Sequence, residues 1–196
     1  MKNIVFDLGG VVFERNPHHC PEELIAFFSF IRQKPMPEFW VEYDRGTLSL
    51  DEVVHTLARI KACDERTAAG HIAQGIALQE EIAPTRDLIA DLKRAGYRLY
   101  VLSNMSREFI DFLRRKPVYR HFDGEVVSCE EGCVKPEAEI YRRLLTRYGL
   151  DPAETLFTDD RQENLDAAAA FGIHTHLFLH HEAERSCAEL RARLLQ

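Results

Sequence analysis

Four short segments of the chain carry groups that can act together on an anion. Asp7 sits near the end of the apolar run NIVFDL and is followed by Gly9-Gly10. Ser103-Asn104 follows the apolar run RLYVL, Lys135 stands beside Pro136, and Asp159-Asp160 follows LFT. Three carboxylates gathered at one place repel one another unless a cation lies between them. The candidate ligands are all oxygens, with no Cys or His at a matching spacing, and oxygen donors suit Mg²⁺. Ser103, Asn104 and Lys135 add hydroxyl, amide and ammonium donors for an anion. A carboxylate, a divalent cation and anion donors together make a site for phosphoryl transfer, with the carboxylate attacking phosphorus to give an aspartyl-phosphate. No GxxxxGK[ST] loop is present, and no GxGxxG follows the first apolar run, which argues against a P-loop or dinucleotide site.

Those segments can meet only if the chain brings them to one edge of a sheet. The pattern from residue 84 onward alternates helical and strand periods. PTRDLIADLKRA is a helix ended by Gly96, and RLYVL is a strand. Residues 107–114 form a short helix, 124–128 a strand, and 136–148 a helix ended by Gly149. Residues 155–158 form a strand, 164–171 a helix, 174–179 a strand and 182–195 a last helix. With the first run at 3–8, this βα rhythm predicts an α/β fold: an open, Rossmann-like parallel sheet covered by helices on both faces. Ligands of such sheets bind outside the C-terminal strand ends, where all four segments fall.

Between Glu14 and Glu80 no strand is expected. PEELIAFFSFIRQK is helical from Pro21, PEFWVEYDRG runs from Pro37 to Gly46, and Ser49 with Glu52 forms a capping box before a third helix. A fourth helix spans about residues 64–79. The predicted organisation is a catalytic core of residues 1–14 and 81–196 with a helical cap of residues 15–80.

Composition agrees with this plan. A length of 196 residues fits one domain with an insertion, and 45% hydrophobic with 29% charged residues argues against disorder. A net charge of −7 disfavours nucleic acid or an anionic membrane as the main partner, and leaves a small phosphorylated metabolite as the expected one. No protein partner is predicted. The five cysteines show no CxxC pair, no apolar stretch reaches 18 residues, and the first apolar run is too short for a signal peptide. The expected location is the cytoplasm, with reduced thiols.

FDLGG at residues 6–10, LSN at 102–104, VKPEAEIY at 134–141 and LFTDD at 156–160 followed by RQEN resemble, in this order, the motifs of the haloacid dehalogenase-like hydrolase superfamily. The insertion after the first strand is similar to the small helical cap of its phosphatase branch. The combination DLGGV, FW, YDRGTLS, LSN, KPE and DDRQEN is similar to the sugar-phosphate phosphatases of that branch, especially those acting on α-D-glucose 1-phosphate. The resemblance implies strand order 5-4-1-2-3 and a Mg²⁺-dependent phosphoric monoester hydrolase. It implies that Asp7 is nucleophile and metal ligand, that the Gly9 carbonyl and Asp160 ligate the metal, and that Asp159 acts close by through water. Ser103 and the Asn104 backbone would hold phosphoryl oxygens, and Lys135 would pair with Asp7 and the phosphate.

One departure matters. Phosphatases of this family carry a second Asp two residues after the nucleophile as general acid and base, and here that position is Gly9. Losing such a group costs on the order of 10²–10⁴-fold unless something replaces it. Either Glu14 or a cap residue reaches in, or the metal and the field of the site position the water unaided. With no obvious substitute near Gly9, the sequence favours the last. The 2-haloacid dehalogenase branch also lacks the second Asp, but it usually has Tyr at the Gly9 position and no paired carboxylates in its last motif. A catalytically weak interaction protein is the other alternative.

Other groups read as structural. His174, His176, His180 and His181 look like surface or packing histidines, Asp87 and Asp91 like a solvated face, and Cys129 with Cys133 like thiols without a metal. Phe39, Trp40 and Tyr43 either pack within the cap or wall the substrate pocket.

Overall fold

The computed structural model describes residues 1–16 and 18–195. In chain order the elements are β1 (Asn3–Phe6), β2 (Phe13–Arg15), α1 (Glu22–Phe27), α2 (Glu38–Arg45), α3 (Leu50–Lys61), α4 (Glu65–Ala77) and β3 (Gln79–Glu81). There follow α5 (Ala83–Arg94), β4 (Arg98–Ser103), α6 (Arg107–Leu113), β5 (Gly124–Val127), α7 (Ser128–Glu131) and α8 (Ala138–Tyr148). The chain ends with β6 (Thr155–Asp159), α9 (Gln162–Ala169), β7 (His174–Leu177) and α10 (Ala183–Leu194).

Five strands form a parallel sheet in the order β5-β4-β1-β6-β7, which is the 5-4-1-2-3 order expected when its strands alone are counted along the chain. All four residues of β1 are buried, as a central parallel strand requires. Successive β1 side chains point to opposite faces. Ile4 and Phe6 pack with Leu88, Ile89 and Leu92 of α5 and with Leu190 and Leu194 of α10. Val5 packs on the other face with Ile140, Tyr141 and Leu144 of α8 and with Leu165 and Ala168 of α9.

A third apolar cluster belongs to the helices between β2 and β3. It contains Leu24, Phe28, Trp40, Tyr43, Val53, Leu57 and Ile72, and Phe109 of α6 packs into it from the sheet side. Ser49 caps α3 as expected, with Ser49 N donating to Glu52 Oε2 at 2.8 Å. Trp40 and Tyr43 are 7% and 2% exposed and pack within this cluster.

The expectation of no strand between residues 14 and 80 is corrected. β2 and β3 pair antiparallel, with Glu14 opposite Glu80, so the two crossings between sheet and helical insertion form a ribbon. Ile82 N also donates to Val12 O at 2.9 Å. Each strand is three residues long, with Phe13 as the one apolar residue of the six, too short to show a period, and is held by a partner distant in sequence. The α8 helix begins at Ala138 rather than at Pro136, whose peptide bond with Lys135 is cis. The five cysteines are free thiols. Among the described residues no helix is long and apolar enough to cross a membrane.

Candidate active site

Parallel pairing places the ends of β1, β4 and β6 side by side. Phe6 lies opposite both Val101 and Thr158, and Asp7 N extends the ladder by donating to Thr158 O at 3.0 Å. Asp7, Ser103, Asp159 and Asp160 therefore emerge at one edge. Lys135 joins them from the loop before α8. Its ammonium is 2.9 Å from Asp7 Oδ1 and 2.6 Å from Asp159 Oδ2, and it lies over the Phe157 ring at 5.3 Å. Asp7, Lys135, Asp159 and Asp160 are thus brought together, with Lys135 between two carboxylates.

Asp159 is fully buried and heavily held. Its Oδ1 accepts from Arg161 N at 2.8 Å, and Asn164 Nδ2 donates to both of its oxygens at 3.0 Å. Asp7 Oδ1 accepts from Leu8 N at 2.7 Å. Among the described residues, neither Asp7 Oδ2 nor the Asp160 carboxylate accepts a side-chain hydrogen bond. Carboxylate oxygens of Asp7, Asp159 and Asp160 lie within 4.8 Å of one another. Gly10 makes room for this: its φ is +74°, and a Cβ there would stand 2.9 Å from Asp160 Oδ2.

Electrostatics tests whether a cation fits. Burial pushes Asp7 up to about 7; Lys135 opposes this, while Asp159 and Asp160 add to it. Burial and Asp159 likewise raise Asp160. Burial by itself lowers Lys135, but Asp159 and Asp7 together outweigh it and hold the ammonium above its ordinary value. Three carboxylates share one ammonium, so the cluster has an excess of negative charge. Hard oxygens at this spacing, two of them side chains with open acceptor sites, fit Mg²⁺.

The Ser103 hydroxyl is fully buried and has no hydrogen-bond partner among the described residues. Such an orphan is costly unless a ligand satisfies it. Asn104 uses its side chain on the protein itself: Nδ2 donates to Lys135 O at 2.9 Å, and Oδ1 accepts from Lys135 N at 2.7 Å.

Other candidates fall away. Glu14 lies in the β2–β3 ribbon, opposite Glu80. His174 is bonded to Ala153 O at 3.2 Å, and burial lowers His176. Asp91 is ion-paired with Arg94 and Arg191. Among the described residues, the acidic trio is the one group of three or more potential metal ligands.

Sequence reasoning passed over Asp44, in the last turn of α2. The charges acting on its carboxyl include Arg161, Asp7 and Lys135. An acidic residue two before the αL glycine, in the last turn of a helix, opposes the helix dipole, and that mismatch is the signal available in YDRG.

Residues 1–172 match the family described as haloacid dehalogenase-like hydrolase, and the chain belongs to that family. Among its curated relatives, Sesquiterpene phosphatase astK of Aspergillus oryzae is 29% identical over 97% of this chain and 95% of its own length. D-ribitol-5-phosphate phosphatase of Bacteroides thetaiotaomicron is 26% identical over 89% of this chain and 90% of its own. A HAD-like family hydrolase from Porphyromonas gingivalis superposes with a TM-score of 0.76 at 28% identity, covering 100% of this chain and 98% of the other. The enzyme class that family and full-length relatives support is phosphoric monoester hydrolase.

Proposed function

We propose that this chain is a Mg²⁺-dependent phosphatase of small phosphomonoesters, working through an aspartyl-phosphate on Asp7. The observation that carries the reading is Lys135 held between Asp7 and Asp159, with Asp160 and the orphaned Ser103 hydroxyl beside it. Asp7, the Gly9 carbonyl and Asp160 would ligate the metal, with Asp159 acting through water. Bound there, Mg²⁺ would offset the excess of carboxylate charge and the charge of the phosphoryl oxygens.

The protein groups divide the remaining work. Asp7 attacks phosphorus through a carboxylate oxygen. Lys135 draws the anionic substrate toward a carboxylate that would otherwise repel it. Ser103 donates its hydroxyl to a phosphoryl oxygen, with the Asn104 backbone beside it. Asn104 fixes the backbone from which Lys135 reaches in. Asp159, bonded to Lys135, Arg161 and Asn164, holds the lysine in place.

For the leaving group, we favour a compact polar alcohol, a sugar phosphate such as glucose 1-phosphate. The support is the sugar-phosphate likeness of the motifs, a relative acting on D-ribitol 5-phosphate, and a cap whose aromatic residues pack on one another. A sesquiterpenyl phosphate is the second reading, carried by the 29% identical relative. The deciding experiment is kcat/KM on 4-nitrophenyl phosphate, glucose 1-phosphate, ribitol 5-phosphate and farnesyl phosphate, with Mg²⁺ and with EDTA. The proposal expects phosphate release abolished by EDTA and a sugar ester ranked first. Farnesyl phosphate in first place moves the substrate class. Release that EDTA leaves unchanged, or halide release from 2-chloropropionate in place of phosphate release, refutes the activity.

A further inference from the structure

The last three residues of α2 are each tied to the sheet side of the molecule. Tyr43 Oη donates to Glu108 Oε2 at 2.6 Å. Ser128 Oγ donates to the Asp44 carbonyl, and Arg45 pairs with Glu137 at 2.8 Å. Gly46 closes the helix at φ +84°, and a Cβ there would lie 2.5 Å from Cys129 O, so this helix end meets α7 backbone to backbone. On another side Arg161 Nη2 reaches Ile31 O at 3.4 Å. The insertion is therefore docked, and the backbone of Asp44 is fixed against α7.

That place is unfavourable for a carboxylate unless it has a use. It lies at the negative end of a helix. Among the described residues it forms no ion pair within 4.0 Å, although Arg161 and Lys135 act on it. The groups facing it are Asp7 and Lys135 from the sheet edge, Arg161 before α9, the Ser106 backbone before α6, and Tyr43 and Cys129 alongside. It comes from the insertion, whereas Asp7 comes from β1. In an in-line displacement the leaving oxygen lies opposite the attacking one. Ser128 Oγ, which donates to the Asp44 carbonyl, also accepts from Met105 N at 2.9 Å, so the end of α2 is joined to the loop that follows Ser103, at the edge where Asp7 emerges. At Gly9 there is no side chain to serve the leaving oxygen, and the space around its absent Cβ is open to 4 Å.

We propose that Asp44 is the general acid and base of this site, supplied by the cap helix α2 in place of a side chain at Gly9. The inference rests on the phosphatase reading above. In the first half-reaction the Asp7 Oδ–P bond forms and the ester P–O bond breaks. The proton of the Asp44 carboxylic acid passes to the leaving oxygen, which departs as an alcohol. In the second, a water oxygen attacks phosphorus and the Asp7 Oδ–P bond breaks. One water proton returns to the Asp44 carboxylate, and inorganic phosphate leaves with both catalytic carboxyls restored. Burial raises Asp44 to about 7, with Asp7 adding to the rise and Arg161, the Ser106 backbone and Lys135 opposing it. A carboxyl so placed can both give and take a proton near neutral pH.

The test compares Asp44→Asn with wild type on ribitol 5-phosphate, whose alkoxide needs a proton, and on 4-nitrophenyl phosphate, whose phenolate does not. Rapid acid quench follows the phosphoenzyme. The proposal expects kcat/KM on the alkyl ester to fall by on the order of 10²–10⁴. Phosphorylation by the aryl ester should change less than about fivefold, and phosphoenzyme should accumulate because water attack has lost its base. Asp44→Ser should give the same pattern, which guards against a folding defect peculiar to one substitution. Equal losses on both esters, or no loss on either, in variants with wild-type circular dichroism, overturn the proposal while the phosphatase reading stands. A wild type that releases phosphate from neither ester removes that reading, and this proposal with it.

Discussion

Asn104 and Lys135 exchange two hydrogen bonds, at 2.9 and 2.7 Å, between one side-chain amide and the two backbone groups of a single residue. The pairing fixes where the Lys135 chain starts, and its ammonium then spans Asp7 and Asp159. Removing it in Asn104→Ala leaves part-buried backbone groups without partners, which costs about 1–3 kcal/mol of stability. Displacement of the ammonium by about 1 Å should lower turnover on the order of 10²-fold. Urea unfolding and steady-state kinetics check both numbers. Full turnover in a destabilised variant would show that the clamp serves folding alone.

Gly10 predicts a defect confined to the metal. In Gly10→Ala the new methyl group would press on Asp160 Oδ2, and the backbone there has positive φ. Mg²⁺ affinity measured calorimetrically should fall at least about tenfold, equivalent to about 1.4 kcal/mol. Unchanged affinity would mean that Asp160 is not a ligand.

The pH dependence of the metal-free protein has a definite sign. Asp7 and Asp44 both rise from 3.8 to about 7 on folding, chiefly through burial. A carboxyl with a raised pKa holds its proton more tightly in the folded chain. Its stabilising contribution is complete below about pH 4 and is lost as pH rises through about 7. In EDTA the melting temperature should therefore decline between about pH 5 and 8, and Asp7→Asn should decline less steeply. Added Mg²⁺ should raise the melting temperature most at the upper end of that range. Parallel profiles for wild type and Asp7→Asn would contradict the assignment.

Gly9 offers a rescue. Its Cβ would meet nothing within 4 Å, and its backbone is not among those with positive φ, so Gly9→Asp should fold. In the Asp44→Asn background this substitution should recover at least about tenfold in kcat/KM on ribitol 5-phosphate, within the range of acid–base catalysis. No recovery, with Mg²⁺ binding intact, would mean that a carboxyl at residue 9 cannot reach the leaving oxygen.

The strand-end positions of Asp7, Ser103, Asp159 and Asp160 were legible because buried parallel strands are uninterrupted apolar runs and each motif closes one. Lys135 was legible as a residue, but its clamp was not, since Asn104 read as a donor to the anion and not as a partner of the Lys135 backbone. The β2–β3 ribbon was hidden because FER and QEE are triplets too short to show a period and their partner is remote in sequence. Asp44 was hidden for a related reason. YDRG describes a helix end, and only the docking of α2 through Glu108, Ser128 and Glu137 ties that end to the sheet side of the molecule.

The central claim is that Asp7 carries the phosphoryl group, and trapping that group tests it most directly. Mg²⁺-loaded protein mixed with 4-nitrophenyl phosphate, acid-quenched within milliseconds and reduced with borohydride, should yield homoserine at residue 7, read by peptide mass. Asp7→Asn should give neither homoserine nor phosphate release. Phosphate release by the wild type with no reduced residue at position 7, alongside near-normal turnover in Asp7→Asn, would contradict the account.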